Sequence, residues 1–454
     1  MNGGAQLYLT PIAVTEGRID RLLGDALRND LVWAMRPKLS IDLVAGARSE
    51  LGSAPPEIAS RRAAVERVLR RTVREARAVR GRLLARRGAH RTAPGGPWMD
   101  ADGGVLRVWG SENQRLAVGA DRERSVRLPD VEAGMQQQGH GSDPHVQLGA
   151  LRDAFPSMVR PIDALLARAA VMQGRVVTAL DQVAPRVVVV GSTEHLYTRL
   201  MILEARRRGI PSVHVPHAPA ATNRIYGDLP ADLSLLANVG DQHYYLGLGA
   251  AADRMEVVGD PVAPTVVAPD SGASAGARII VFATTADRPP GMLRSALLAT
   301  AAWVEEAGLP LVVAPHPRDR SIAEEVTREL GLRLYDGRTE QVFATYDVAV
   351  LVTEAASGVA LAAVRAGVPV LRWSGVPNYV FEEQLGIGTV EEDGPEILAA
   401  VRGVNRTADA GPHPDLVRDW TGPVGADAVA AREARLAGEV IAGGPALDSW
   451  NHWS

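Results

Sequence analysis

The chain contains no cysteine and a single lysine, Lys38. The first absence removes disulfides, thiolate metal sites and cysteine nucleophiles. The second removes the phosphate-binding loop that needs Gly-Lys-Ser/Thr, and leaves only Lys38 to supply the amine of a Schiff-base mechanism. Any phosphate site must therefore use arginine, histidine, hydroxyls and main-chain N–H groups. No apolar run approaches the roughly 18 residues of a membrane helix. The opening MNGGAQLYLTPIAVTEGR lacks the basic start and long apolar stretch of a secretion signal, so a cytoplasmic location is expected. No glycine-rich dinucleotide fingerprint follows it. The net charge of −4 gives no overall attraction to nucleic acid.

What is present is a 454-residue chain with 46% apolar residues. At roughly 150 residues per domain, two or three domains are expected. Residues 61–91 stand apart, with twelve arginines and two glutamates. Val65, Leu69, Val73, Ala76, Val79 and Leu83 recur at helical spacing, so the wider segment 56–91 reads as an Arg-rich amphipathic helix or helix pair. Such a face is either simply solvated or a docking surface for an anionic membrane or polymer at the inner face of the membrane. No aromatics interleave with these arginines, which argues against nucleic acid.

The remainder alternates short apolar runs with helical patterns. A strand is expected at 7–9, a helix at 19–27, and a hairpin of 105–109 with 116–118. A helix over 161–183 precedes a buried strand at 186–190, a helix over 196–208 and a strand at 212–216. Runs 233–238 and 255–258 read as strands flanking a helix at 242–248. Residues 266–277, rich in Ala, Ser, Gly and Pro, read as a linker. Strands are then expected at 278–283, 311–314, 332–335, 348–352 and 368–371. The helices between them start near 292, at a capping box opening on Ser321, and after Ser357. Further helices are expected at 379–384, 395–401 and 426–442. The implied organisation is an N-terminal Rossmann-like domain (1–264), a linker (265–277), a C-terminal Rossmann-like domain (278–425) and a terminal helix and tail (426–454). The two α/β domains would face each other across a cleft.

Residues 347–373, DVAVLVTEAASGVALAAVRAGVPVLRW, form the organising stretch of the second half. A buried strand, a small-residue loop, a helix and a second strand follow one another. The loop sets hydroxyls, a carboxylate and main-chain N–H groups at the carboxyl edge of a parallel sheet, where open α/β folds hold anionic ligands. In the first half, Glu194, His195 and His217 fall at strand carboxyl ends. Asp100-Ala101-Asp102 spells an Asp-x-Asp, but such triplets are common by chance and no metal is expected.

With these motifs assembled, residues 186–405 resemble GT-B glycosyltransferases, especially bacterial capsule-type sialyl- or polysialyltransferases and teichoic-acid glycerophosphotransferases. Three features carry the resemblance. His316-Pro317 follows an apolar strand, Thr353 to Gly358 precedes VALAAVRAGVPVL, and MEVVGDP precedes the linker. Two positions depart from the pattern. His217-Ala218-Pro219 stands where relatives often have His-Gly, and Ala356-Ser357 where they have Ser-Ser. Non-hydrolysing sugar-nucleotide 2-epimerases share the fold, but their His-x-Glu-Ala-Gly-x-Arg stretch is not matched by HVPHAPAATNR.

The resemblance implies a metal-independent, inverting transferase moving a sugar from a nucleotide-sugar donor to a glycan or small-molecule hydroxyl, with no cofactor. His316 and Arg318 would meet the phosphate, with N–H groups around Thr284, Thr285 and Gly358. Thr353 and Ser357 would donate hydroxyl hydrogen bonds, and Glu354 would hold a ribose or sugar hydroxyl. His217 or Glu194 would be the base, with His195 and Asp228 on the acceptor side. An epimerase and a catalytically silent nucleotide- or glycan-binding protein are the alternatives.

Overall fold

The computed structural model describes residues 33–36, 97–128, 148, 159–221, 229–263, 278–284, 290–316, 320–337, 339–353, 358–373, 379–390 and 414–442. The expected elements at 7–9, 19–27 and 395–401, the Arg-rich segment, the linker 265–277 and the tail after 442 lie outside these residues. So do five candidate site residues, Asp228, Thr285, Arg318, Glu354 and Ser357.

Two sheets organise the chain. The first has seven strands in the order β3-β1-β2-β4-β5-β6-β7. These are β1 (Trp98–Asp102), β2 (Val105–Trp109), β3 (Val126–Arg127), β4 (Val187–Val190), β5 (Ser212–His214), β6 (Leu233–Leu236) and β7 (Met255–Val257). From β2 to β7 every pairing is parallel. Val187 to Val190 are all buried, as a strand covered on both faces requires.

The expected hairpin partner of β2 is corrected. Residues 116–118 belong to helix α1 (Glu112–Val118), whose N-cap Ser111 accepts from the Gln114 N–H and whose C-cap Gly119 is left-handed at φ 69°. Their local capping outweighs the apolar run. The partner of β2 is β1, joined through Gly103-Gly104 with both glycines at positive φ, the backbone a two-residue hairpin turn needs. The Asp-x-Asp therefore sits on a strand, and both carboxylates serve Arg124. Asp102 lies 2.8 Å from it and buried Asp100 3.6 Å.

The second sheet has six strands, all parallel, in the order β10-β9-β8-β11-β12-β13. Its members are β8 (Ile279–Ala283), β9 (Leu311–Ala314), β10 (Arg333–Leu334), β11 (Val348–Thr353), β12 (Val370–Arg372) and β13 (Gly388–Thr389). The chain runs outward from β8 to β10, then crosses back to β11 beside β8. That reversal makes the carboxyl ends of β8 and β11 a topological switch point, the usual ligand crevice of an open parallel sheet. The parallel strands of the two sheets, β2 to β7 and β8 to β13, with their crossing helices are Rossmann-like.

The crossing helices follow the apolar periodicity. Helix α2 (Val159–Val183) packs on α3 (Leu196–Arg207) over one face of the first sheet, with Val188 and Val190 beneath them. Val187 and Val189 face the opposite cluster. Helix α4 (Val239–Gly247) begins three residues earlier than expected, because the Asn238 side chain accepts from the Asp241 N–H at 2.7 Å and caps it. Helix α5 (Pro290–Ala307) covers the second sheet. Helix α6 (Arg320–Glu329) already includes Ser321, so the expected capping box is not formed there. Glu324 instead accepts from Arg320 one turn back, at 2.9 Å. Helix α7 (Val342–Thr345) is followed by α8 (Gly358–Arg365) and α9 (Val380–Gln384).

One apolar cluster belongs to both halves. Ala220, Leu236, Tyr245 and Met255 pack with Val281, Leu351, Phe381 and Trp420. Trp420 lies on α10 (Pro414–Thr421), a helix absent from the sequence expectation. The last helix, α11 (Ala426–Ala442), returns to the first sheet. Its buried Arg432 donates to the Leu116 and Ala117 carbonyls at the end of α1, and Leu436 joins the cluster under Val187 and Val189. The motif MEVVGDP marks this return. A Cβ on Gly259 would lie 2.6 Å from the Pro423 carbonyl oxygen, and Gly259 has φ +102°. Asp260 then pairs with the returning chain at Pro423 and Gly425. No helix among the described residues is long and apolar enough to cross a membrane.

Candidate functional site

At the carboxyl end of β4 the chain turns through Gly191-Ser192-Thr193-Glu194-His195 into α3. A Cβ on Gly191 would stand 2.8 Å from the Gln114 Cβ, so α1 and β4 meet only at a glycine. The turn is held from beneath by Arg199, fully buried, whose Nε donates to the Thr193 carbonyl at 2.7 Å and whose guanidinium lies 5.0 Å from the Trp33 ring. Thr193 N–H donates to Glu194 Oε2 at 3.1 Å. His195, half exposed, stacks on Tyr197 with ring centres 5.3 Å apart. Tyr197 donates to Gln114, and burial followed by the Glu194 charge raises its phenol.

His217 comes from the carboxyl end of the neighbouring strand, β5. Its Nδ1 lies 2.8 Å from the Gly191 carbonyl oxygen. A carbonyl can only accept, so Nδ1 carries the hydrogen and neutral His217 has its lone pair on Nε2. Among the described residues, Nε2 makes no hydrogen bond. Burial alone would raise the Glu194 carboxyl. The neighbouring His217, His195 and His214 and a main-chain N–H outweigh it and hold the group below the usual range. His195 Nε2 is 3.7 Å from Glu194 Oε1. The structure thus gathers Glu194, His195 and His217 as expected from the sequence, and adds His214. Glu194 is a poor proton acceptor and a good counter-charge.

The second edge is built from three adjacent strands. Thr284 follows β8, His316 follows β9 and Thr353 ends β11. Buried Thr284 accepts from the His316 N–H through Oγ1 at 2.8 Å, and its own N–H donates to the Ala314 carbonyl at 3.1 Å. Its hydroxyl therefore sets the turn that carries the His316 ring. Thr353 is fully buried, with its carbonyl accepting from Trp373 N–H at 2.9 Å. Gly358 opens α8 one loop later. The start of this eight-residue helix points its main-chain N–H groups toward the switch point. Arg372, the register partner of Thr353, was not singled out from the sequence. It is buried and 3.3 Å from Glu382. Burial lowers its guanidinium, and Glu382 opposes that shift. Its signal was an arginine closing an apolar strand.

Both carboxyl edges meet at one junction. Residues 217–221 leave the end of β5, and Tyr379 opens the helix that follows β12. Ala221 forms an antiparallel bridge with Tyr379, and Val380 N–H donates to the Ala220 carbonyl at 2.9 Å. Ala220 N–H donates to buried Asp241 at 3.0 Å. Neither Asp241 nor Gln114 could be picked out from the sequence, because each acts through a partner distant along the chain. Among the described residues, no three His, Asp or Glu side chains are grouped so as to hold a metal ion.

No protein-family model matches the chain, and no curated protein matches it. Similar solved structures include UDP-GlcNAc 2-epimerase of Methanocaldococcus jannaschii in complex with UDP-GlcNAc and UDP, 16% identical with a TM-score of 0.41, covering 60% of this chain and 80% of that one. UDP-GlcNAc 2-epimerase from Neisseria meningitidis bound to UDP-GlcNAc is 12% identical, with a TM-score of 0.42 over 60% and 82% of the two chains. The apo form of the lipopolysaccharide outer core galactosyltransferase WaaB is 14% identical, with a TM-score of 0.35 over 60% and 81%.

Proposed function

We propose that the protein is a GT-B-type glycosyltransferase that moves a sugar, with inversion, from a nucleotide-sugar donor to a hydroxyl of a glycan or small-molecule acceptor. The observation that carries this reading is His217. Its Nδ1–H is committed to Gly191, its Nε2 lone pair is available, and the Glu194 carboxylate lies beside it. The motif resemblance of residues 186–405 supports the donor side.

In the reaction the acceptor oxygen attacks the anomeric carbon while its proton passes to His217 Nε2. The bond from that carbon to the phosphate oxygen breaks, and the nucleotide leaves with the electron pair. Glu194 stabilises the imidazolium that forms. His316, Arg318 and the N–H groups at the start of α8 stabilise the charge growing on the phosphate. The resemblance would add Ser357, Glu354 and Thr285 on the donor side, and Asp228 beside His195 on the acceptor side. Thr353 and Thr284 shape the strand ends from within.

The test is a thermal-shift panel of CMP, UDP, GDP, CDP and TDP on wild type and His316→Ala, followed by turnover with the sugar donor of the best nucleotide. A nucleotide at about 100 times its Kd should add roughly 2.7 kcal/mol of stability. That shift should be lost in the variant, and transfer should require acceptor and fail in His217→Ala. No shift with any nucleotide would sink the donor site. Conversion of the nucleotide sugar with no acceptor present would replace transfer by epimerisation.

A further inference from the structure

The segment 217–221 is tied at four points, and the ties come from three different elements. His217 Nδ1–H reaches the Gly191 carbonyl on the first sheet at 2.8 Å. Ala220 N–H reaches Asp241 Oδ1 on α4 at 3.0 Å. The Ala221 carbonyl accepts from the Tyr244 hydroxyl, also on α4, at 3.2 Å. The Ala220 carbonyl accepts from Val380 N–H at the start of α9, at 2.9 Å. Asp241 is itself fixed, since Asn238 Nδ2 donates to its other oxygen at 3.2 Å and Asn238 Oδ1 accepts from its N–H at 2.7 Å. Helix α9 is fixed too: Glu382 accepts from Tyr379 N–H at 2.7 Å and faces Arg372 at the donor edge.

A buried carboxylate is a costly way to satisfy one main-chain N–H. Packing alone would be served by an apolar residue at 241 and any turn at 220. The arrangement instead has Ala220, three residues after His217, offer one donor and one acceptor, each taken up by a different domain. We propose that Asp241 and the Val380 N–H are the positioning groups for His217. Together they anchor residues 217–221 between α4 and α9 and so place the imidazole relative to the donor edge of the second sheet. This rests on the function proposed above, with His217 as base, and adds the residues that set its place.

Val380 offers a clean perturbation. It is the first residue of α9, where proline is accepted and the N–H has no helical partner. Tyr379 before it is already extended, at φ −120° and ψ 151°, as a residue preceding proline must be. Val380→Pro therefore removes the tie to Ala220 and keeps the helix. Val380→Ala trims the buried side chain and keeps the N–H. Asp241→Asn presents an amide N–H₂ to one of its two donors and loses that bond.

The experiment uses full-length protein labelled with nitrogen-15 histidine, with the His217 Nδ1–H signal assigned by its absence in His217→Gln among the ten histidines. Exchange of that proton is measured in wild type and the three variants, together with turnover and nucleotide thermal shift. Val380→Pro and Asp241→Asn should speed the exchange and lower kcat by about 10- to 100-fold, the loss a small misplacement causes. Donor KM and the nucleotide shift should hold within about twofold, because the donor edge is untouched. Val380→Ala should do neither. Unchanged exchange in Val380→Pro and Asp241→Asn would overturn the proposal, as would an equal effect of Val380→Ala. If wild type turns over no donor, the proposed function fails, while the exchange measurement still decides whether these groups hold His217.

Discussion

Raising the pH from acid to mildly alkaline should weaken the fold through Asp241. Its side chain is 1% exposed. Burial is the leading cause of its shift, the Asp260 charge adds to it, and the Ala220 N–H and Asn238 amide oppose it. The carboxyl is pushed up to about 7 from the ordinary 3.8. The folded state therefore holds this proton more tightly than the unfolded chain. The stability it contributes is fully present below about pH 4 and is lost as the pH rises to about 7, with no further loss above. At 1.36 kcal/mol per unit, about three units correspond to about 4 kcal/mol. That is a large share of the roughly 5–15 kcal/mol that separates a folded domain from its unfolded chain. The assay is urea unfolding of wild type and Asp241→Asn between about pH 5 and pH 9, well across the window. Other titrating groups are common to both proteins and cancel, including Glu194, whose depressed carboxyl acts in the opposite sense. The variant should carry a constant penalty of about 1–3 kcal/mol for the hydrogen bond its amide N–H₂ loses to one of the two donors. On top of this, the stability of wild type relative to variant should fall by about 3 kcal/mol between pH 5 and pH 8, then level off. A difference that does not change with pH, or that rises, would refute the reasoning that burial dominates over the two hydrogen bonds.

Three further outcomes follow from particular contacts. A Cβ on Gly240 would lie 2.3 Å from the Trp420 ring, so Gly240→Ala should overpack the cluster shared by the two halves and cost about 1–3 kcal/mol, read by thermal unfolding. Breaking the buried Arg372–Glu382 pair from either side, as Arg372→Ala or Glu382→Ala, should cost about 3–5 kcal/mol, while Arg372→Met with Glu382→Leu should recover most of it in a double-mutant cycle. Arg432→Ala strips two buried donors from the last carbonyls of α1, and should cost about 1.5–3 kcal/mol in denaturant unfolding.

The parallel strands were legible because their signal is local. VVVV at 187–190 and VAVLVT at 348–353 are apolar throughout, which a strand buried on both faces demands and few alternatives satisfy. From them the two-sheet architecture and the strand-end positions of Glu194, His217, His316 and Thr353 followed. The hairpin of β1 and β2 was also written locally, in Asp102-Gly103-Gly104-Val105. Yet β1 is too polar to stand out as a strand, because Asp100 and Asp102 interrupt its apolar run. Helix α10 carries an apolar stripe of only a few residues over Pro414–Thr421, and Gly240, on which Trp420 packs, is distant along the chain. The ties on 217–221 were not legible at all. Ala220 has no side-chain chemistry, and what matters is its main chain, whose partners Asp241 and Val380 are brought near only by the assembled fold.

The same ties explain the departure of His217-Ala218-Pro219 from a His-Gly pattern. A glycine after the histidine suits a turn that must be flexible or left-handed. Here the chain bends at His217 and Ala218 without a left-handed residue, and Pro219 supplies no N–H of its own. The next N–H along the chain is that of Ala220, and it is the one Asp241 receives. Ala220 is 3% exposed within the cluster that joins the halves, so a larger residue would have to displace its packed neighbours to keep both its hydrogen bonds. The tripeptide thus turns without a glycine and leads directly to the residue that both halves hold.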